Sequence, residues 1–351
     1  MNKFDIPTPA LILDLDKFER NLERMATQVR TAGRDLRPHV KAHKCAEVAR
    51  RQLALGAVGL CVATVPEAEA MHRAGFTGLL LTGPLGDPAK IRRVVAAGAA
   101  AAVDHVRQVE WYSEAAKALP GRTLDLLIDL DIGDHRTGAS STEQVLQIAR
   151  AIASAPHLRL HGLQAYSVSG SHGADRDART QISRDCFSQA RAAITALRAD
   201  GHDCASLTGG STGTWDIDIT IDGFTEMQAG SYAFMDVAYR RIGIDFENAI
   251  TVQATVISAN HGDFVTVDAG FKSFATDRPF GPDAVDLPGA GYRWGGDEFG
   301  YVDLVNCRVK PRLGDRIEFL PPHCDPTVNL YARIYACRGE SLEAIWPCIE
   351  K

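Results

Sequence analysis

The chain has 351 residues, 45% hydrophobic and 23% charged, with a formal net charge of -6 at pH 7. That length holds one large domain with a smaller one, or two of similar size, and the mild acidity argues against a nucleic-acid or anionic-membrane partner. No apolar run is long enough to span a bilayer, the first residues lack the basic-then-apolar pattern of a secretory signal, and eight cysteines without a Cys-x-x-Cys pair read as reduced thiols of a cytoplasmic protein.

Residues 8–14 read as a short apolar strand introduced by prolines, and 15–31 as a helix with Leu15, Phe18, Leu22, Met25 and Val29 on one stripe. A strand over 37–41 then ends at Lys41. From there helices at 46–55, 66–74, 88–97, 106–118, 142–155 and 175–199 alternate with strands at 58–62, 79–82, 100–103, 124–128, 158–165 and 206–208. Such alternation implies parallel βαβ units. With a last segment at 225–228, about eight units fit between residues 35 and 235, the number that closes a TIM-like (β/α)₈ barrel. An open doubly wound sheet fits the same periodicity.

Past about residue 245 the pattern changes to strand-like alternation, as in 250–257 and 264–268, with Gly/Pro-rich connections. The expected organisation is a barrel over 15–245 and a C-terminal β-rich domain over 246–351, which the strand within 1–14 joins. No repeat of fixed period and no low-complexity segment interrupts it.

Lys41 is the first candidate for chemistry. An amine at a strand's C-terminal end lies where α/β folds place their reactions, and it forms an imine with an aldehyde once its pKa falls. Taken alone, Lys41 with Arg37 and Lys44 is equally an ordinary basic turn. The glycine-dense stretch 207–215, with Thr208, Gly210, Ser211, Thr212 and Gly213, offers backbone N–H groups and hydroxyls to an anion and falls where barrels hold phosphate. Gly230, Ser231 and Tyr232 form a second corner after the next strand. A late phosphate cradle and an early lysine together suggest pyridoxal 5′-phosphate. No Walker loop or dinucleotide fingerprint is present.

The second constellation is His323-Cys324-Asp325 between prolines. In an extended strand His323 and Asp325 share a face and chelate one divalent cation, Mn²⁺, Mg²⁺ or a catalytic Zn²⁺, with Cys324 pointing away. A capped turn is the bland alternative. His172, after the sixth strand, is a candidate general base or a solvated loop histidine. Arg136, after the fifth, is a fixed cation near the cofactor or half of a surface ion pair.

Pro38-His39-Val40-Lys41-Ala42-His43-Lys44, Arg136-Thr137-Gly138, Gly162-Leu163-Gln164-Ala165-Tyr166, the 208–214 loop, Met227-Gln228-Ala229-Gly230-Ser231-Tyr232, Asp268-Ala269-Gly270 and the 323–330 segment together resemble the D-threonine aldolase and D-serine dehydratase family, fold-type III pyridoxal-phosphate enzymes related to alanine racemase. The resemblance implies a barrel followed by a β-domain, and a homodimer with active sites near the subunit interface. It also assigns roles. Lys41 is similar to the Schiff-base lysine, Arg136 to an arginine near the cofactor ring, and Tyr166 to an active-site tyrosine. Gly210, Ser211, Thr212 and Gly213 are similar to the phosphate loop, His323 and Asp325 to the metal pair, and His172 to the proposed aldolase base.

Relatives that dehydrate tend to present His-x-Cys and those that cleave His-x-Asp, so His-Cys-Asp follows the aldolase pattern. Two departures touch the substrate end: Phe299 stands where relatives usually carry histidine, and the stretch after Tyr166 begins with Ser167 where they often begin with histidine. The expected activity is a pyridoxal-phosphate- and metal-dependent aldolase that cleaves D-β-hydroxy-α-amino acids to glycine and an aldehyde. The alternatives are a dehydratase giving a 2-oxo acid and ammonia, a racemase, which leaves the metal pair unexplained, and a non-catalytic pyridoxal-phosphate carrier, a class that lacks the β-domain.

Overall fold

Short runs of small and branched apolar residues make strands that are buried on both faces, as a parallel sheet covered by helices requires. In the computed structural model, which describes residues 1–119, 121–173 and 175–349, the strands begin with β1 (Ala10–Asp14). They continue with β2 (Asp35–Leu36), β3 (Leu60–Val62), β4 (Leu79–Leu81), β5 (Ala100–Val103), β6 (Leu124–Leu130), β7 (Leu158–Ala165), β8 (Ser206–Gly209) and β9 (Glu226–Met227). Then come β10 (Ile250–Ser258), β11 (Phe264–Val267), β12 (Asp283–Ala284), β13 (Gly291–Trp294), β14 (Gly300–Asp303), β15 (Arg316–Leu320), β16 (Arg333–Arg338) and β17 (Ser341–Pro347). The chain forms two compact units: one takes Met1–Arg24, Ala42–Glu47 and the stretch from Ser231 onward, the other Met25–Lys41 and Val48–Gly230.

In the second unit every strand pairing is parallel, in the order β2-β9-β8-β7-β6-β5-β4-β3. A bridge between His39 and Cys61 closes the ring, with the Cys61 N–H donating to the Pro38 carbonyl at 2.9 Å. The result is the (β/α)₈ barrel; closure excludes the open doubly wound sheet. The connecting helices start where the sequence supplies a cap: the side chains of Thr64, Asp87, Ser141 and Asp175 each accept a first-turn N–H. Their apolar stripes, such as Ile91, Val94 and Val95 or Val145, Ile148 and Ile152, are buried.

The barrel interior is not apolar throughout. Arg37 Nη2 lies 2.9 Å from Glu226 Oε2, and Glu226 Oε1 accepts from Thr208 Oγ1 at 2.8 Å. Gln228 Nε2 donates to Thr208 Oγ1 (3.0 Å) and to Gln164 Oε1 (3.3 Å), and Gln164 Nε2 donates to Asp129 Oδ1 at 2.8 Å. Asp129, Gln164, Thr208, Glu226 and Gln228 are buried and bond to one another, as polar groups inside a low-dielectric core must, while Arg37 is half-buried and its Nε has no hydrogen-bond partner among the described residues.

Two expectations need correction here. Residues 37–41 do not form a strand: β2 ends at Leu36, Pro38 has no N–H for a ladder, and Val40–Ala42 is a 3₁₀ turn that carries Lys41. The segment holding His172, expected as a loop, is the helix Val168–His172, capped by the Ser167 hydroxyl.

The other unit is built on a sheet ordered β13-β14-β11-β10-β1-β16-β17, with β15 pairing both β10 and β12. The N-terminal strand does join it: β1 runs antiparallel to β10 and parallel to β16. Leu11, Leu13, Val252, Ala254, Ile334 and Ala336 are buried in this sheet. The segment Ala42–Glu47 belongs to this unit, where the Lys44 carbonyl accepts from the Ile349 N–H at 2.7 Å.

Candidate active site

Lys41 is held from behind by His39. The Lys41 N–H points to His39 Nδ1 at 3.4 Å, and His39 Nε2 lies 3.1 Å from Thr82 Oγ1, which itself donates to the Val62 carbonyl at 3.3 Å. Because Nδ1 accepts and the threonine proton is committed elsewhere, the network assigns the imidazole proton to Nε2. The lysine side chain extends to Tyr166: Nζ is 5.8 Å from the centroid of its ring, and the Arg136 guanidinium is 5.0 Å from the same centroid. Neither cation has an ion-pair partner among the described residues. Three expected site residues, Lys41, Arg136 and Tyr166, are thus brought together.

The loop that carries Arg136 is pinned on both sides. Thr137 Oγ1 donates to Asp129 Oδ2 at 2.7 Å, and the Gly138 N–H donates to Asp104 Oδ2 at 3.0 Å. Burial pushes the Asp129 carboxyl up to about 6, against the hydrogen bonds from Gln164 and Thr137. Asp134 of the same loop accepts the Val168 N–H, the Ser169 N–H at 3.3 Å and the Ser169 hydroxyl at 2.5 Å, at the N-terminus of the helix whose last residue is His172. Burial raises this carboxyl, but the donors outweigh it and hold it below the usual carboxylate range.

The glycine-dense loop packs on that helix with no room to spare. A Cβ on Gly213 would lie 1.8 Å from the Ser171 carbonyl oxygen, and Gly210 has φ +73° with Asp218 and Met227 close by. Ser171 Oγ donates to the Ser167 carbonyl at 2.8 Å and approaches the Tyr166 hydroxyl at 3.3 Å. Tyr166, the helix ending at His172 and the 209–214 loop are therefore one packed group. Inside the loop, Ser211 Oγ accepts the Gly213 N–H at 3.1 Å and lies 3.0 Å from Thr214 Oγ1. Below it Asp218 accepts from Thr214 Oγ1 (2.5 Å) and Ser183 Oγ (2.8 Å), and burial pushes its carboxyl up to about 7.

A loop braced in this way, with close-packed glycines and two unpaired cations in the same unit, suits a phosphorylated aldehyde cofactor. Thr208 is fully buried, and its hydroxyl bonds with Glu226 and Gln228 inside the barrel. Gly230 closes the barrel unit in sequence, and Tyr232 is a fully buried ring packed 5.7 Å from Phe246 in the other unit.

That other unit holds the metal candidates, and their local structure differs from the expectation. His323 is extended (φ −145°, ψ 121°) but only as the cap of a helical turn, Cys324–Val328; His323 and Asp325 are not alternate residues of a strand. Pro326 in the first turn accounts for this, since the N–H it lacks has no intrahelical partner there. His323 Nδ1 lies 2.7 Å from Asp277 Oδ2. Asp325 Oδ1 accepts from Ser231 Oγ at 2.8 Å, so the expected cofactor residue Ser231 also braces the metal candidate.

Asp236, completely buried, accepts the Cys324 N–H at 2.8 Å and the Tyr239 N–H at 2.9 Å. Burial pushes the Cys324 thiol well up, and Asp236 and Asp325 push it further. An imidazole and a carboxylate fit a divalent ion that keeps open positions. Among the described residues no group of three or more His, Cys, Asp and Glu could hold a metal. Phe299 is 46% exposed.

Asp277, Asp236 and Asp134 had no signal in sequence, each being a single acid in a loop. His39 did have one, two residues before Lys41 in a segment already singled out.

The model of the alanine racemase N-terminal domain matches residues 13–238, and that of a putative serine dehydratase domain matches 249–337. A D-threonine aldolase from Arthrobacter sp is 37% identical over 97% of this chain and 92% of its own length. A 3-hydroxy-D-aspartate aldolase from Paracoccus denitrificans (strain Pd 1222) is 35% identical over 99% of this chain and 92% of its own. The crystal structure of D-threonine aldolase from Filomicrobium marinum superposes with a TM-score of 0.94 at 37% identity, covering 99% of this chain and 95% of that one. The chain belongs to the D-threonine aldolase and D-serine dehydratase family, pyridoxal 5′-phosphate enzymes that join the alanine racemase barrel to a β-rich domain.

Proposed function

We propose that the protein is a carbon–carbon lyase that cleaves D-β-hydroxy-α-amino acids of the D-threonine type to glycine and an aldehyde, using pyridoxal 5′-phosphate and a divalent metal. The observation that carries the reading is Lys41 Nζ and the Arg136 guanidinium over one Tyr166 ring, both without an ion-pair partner among the described residues, in the unit that also packs the glycine loop against the helix that follows Tyr166. When bound, the cofactor supplies an electron sink for the broken Cα–Cβ bond and the metal a Lewis acid for the β-hydroxyl.

The chain's own groups do the rest. Lys41 attaches the cofactor aldehyde, and Arg136 sets a fixed positive charge beside it. Tyr166 presents its face to both cations, while Gly210, Ser211, Thr212 and Gly213 receive the phosphate. His323 and Asp325 hold the metal. His172 accepts the β-hydroxyl proton as that oxygen becomes the aldehyde oxygen. His323-Cys324-Asp325 follows the His-x-Asp pattern of the relatives that cleave, which supports cleavage over dehydration. Mn²⁺ as the metal and a cytoplasmic homodimer complete the reading; eight free, buried cysteines support a reducing compartment, and no helix among the described residues is long and apolar enough to cross a membrane.

Product analysis with D-threonine and Mn²⁺ tests the activity. Glycine and acetaldehyde are expected. A 2-oxo acid with ammonia identifies a dehydratase, L-threonine a racemase, and bound cofactor with no turnover a carrier. Lys41→Ala is expected to lose the visible absorbance of the bound cofactor, and an unchanged spectrum refutes the role of Lys41.

A further inference from the structure

We propose that Asp277 is the positioning residue of the metal site: its carboxylate holds the His323 ring by Nδ1, so that Nε2 is the nitrogen presented to the metal. The inference deepens the metal-pair reading and rests on it. A carboxylate oxygen 2.7 Å from Nδ1 can only accept, so Nδ1 carries the proton and the lone pair sits on Nε2. Asp277 is not itself a ligand in this arrangement. Asp277 lies on the Nδ1 side of the ring, so a metal held by Nε2 would be out of its reach.

Other contacts hold the backbone on either side of the ring. The His323 carbonyl accepts from Thr327 Oγ1 at 2.7 Å, and the next N–H, that of Cys324, donates to Asp236 at 2.8 Å. The backbone is therefore fixed without Asp277. Thr327 Oγ1 also accepts the Ala275 N–H at 3.0 Å, which sets the segment carrying Asp277 in register with the helix that His323 caps. Arg278 Nε lies 3.5 Å from Asp277 Oδ2, too far for a good hydrogen bond, and this buried Nε has no hydrogen-bond partner among the described residues. Arg278 thus offsets the carboxylate's charge without competing for its geometry. An outer carboxylate of this kind fixes the tautomer and the aim of a ligating imidazole, and losing one typically costs 10–100-fold in metal affinity.

The test is Mn²⁺ binding to the purified holoenzyme, followed by electron paramagnetic resonance, for wild type, His323→Ala, Asp277→Ala and Asp277→Asn. The expected result is abolished binding for His323→Ala and a Kd about 10–100-fold weaker for Asp277→Ala. Asp277→Asn, which keeps an acceptor and loses the charge, falls between. Turnover of Asp277→Ala is expected to recover at excess Mn²⁺ with cofactor absorbance unchanged throughout, which a general structural lesion would not allow. If the alanine variant does not fold, the asparagine variant carries the comparison. Wild-type Mn²⁺ affinity in both Asp277 variants, with binding lost in His323→Ala, overturns this inference alone. Undiminished binding in His323→Ala overturns the metal pair and the inference with it.

Discussion

Gly213→Ala probes the packing between the glycine loop and the helix that ends at His172. The added Cβ would stand 1.8 Å from the Ser171 carbonyl oxygen, 2.7 Å from its carbonyl carbon and 3.2 Å from its Cα. All three are backbone atoms, so no rotamer change relieves the clash. An ordinary carbon–oxygen contact is about 3.5 Å, so loop and helix must separate by more than an ångström. Ser171 resists through its N–H and its hydroxyl, which both donate to the Ser167 carbonyl, at 3.2 and 2.8 Å. Overpacking a filled interior costs about 1–3 kcal/mol, and backbone against backbone places this change at the upper end.

The same separation opens the loop and displaces His172, so cofactor affinity is expected to fall at least about tenfold, equivalent to about 1.4 kcal/mol. Thermal unfolding and titration of the apoprotein with cofactor measure the two effects. Gly262→Ala is the matched control, having nothing within 4 Å of the built Cβ and a backbone outside the left-handed region. It is expected to stay within about 0.5 kcal/mol of wild type. If Gly213→Ala matches it in both measurements, the packing argument is wrong.

Removing Arg37 leaves the buried Glu226 carboxylate without its cation, with the Thr208 hydroxyl still donating to it, so Arg37→Ala is expected to cost about 3–5 kcal/mol in urea unfolding, and Arg37→Met with Glu226→Gln less than that. An equal or larger loss in the double variant would contradict the ion-pair account. Burial pushes the Asp218 carboxyl up to about 7, well above the ordinary aspartate value of about 4, so the folded state holds the proton more tightly between those pH values and wild-type stability falls as pH rises through that window. Asp218→Asn removes this slope. Its melting temperature relative to wild type is expected to climb from pH 5 to pH 8, and since Asp129 is common to both proteins its contribution cancels; a pH-independent difference refutes the assignment. Tyr166→Phe keeps the ring under Lys41 and Arg136 and loses only the long Ser171 contact, whereas Tyr166→Leu removes the aromatic face. Cofactor affinity is expected to be nearly unchanged in the first and about tenfold weaker in the second, and equal losses would show that the hydroxyl, not the face, matters.

By itself the sequence determined the barrel, the β-rich unit that recovers the N-terminal strand, and the three motifs that bear on chemistry. All are local: period-two and helical spacing, capping residues, and glycines in a row state their preferences within a few neighbours. Only the tertiary structure decided which partners those motifs meet. His323 and Asp277, or Arg37 and Glu226, stand far apart in the chain and become neighbours through folding, and a single acid in a loop announces no partner. Thr208 looked like part of a phosphate loop because it adjoins one, yet strand β8 turns its hydroxyl towards Glu226. His-Cys-Asp looked like a strand because alternation would pair its ends, yet Pro326 and Thr327 wind it into a helical turn. Adjacency in sequence sets what a residue is able to do; which side it faces, and what waits there, is a property of packing.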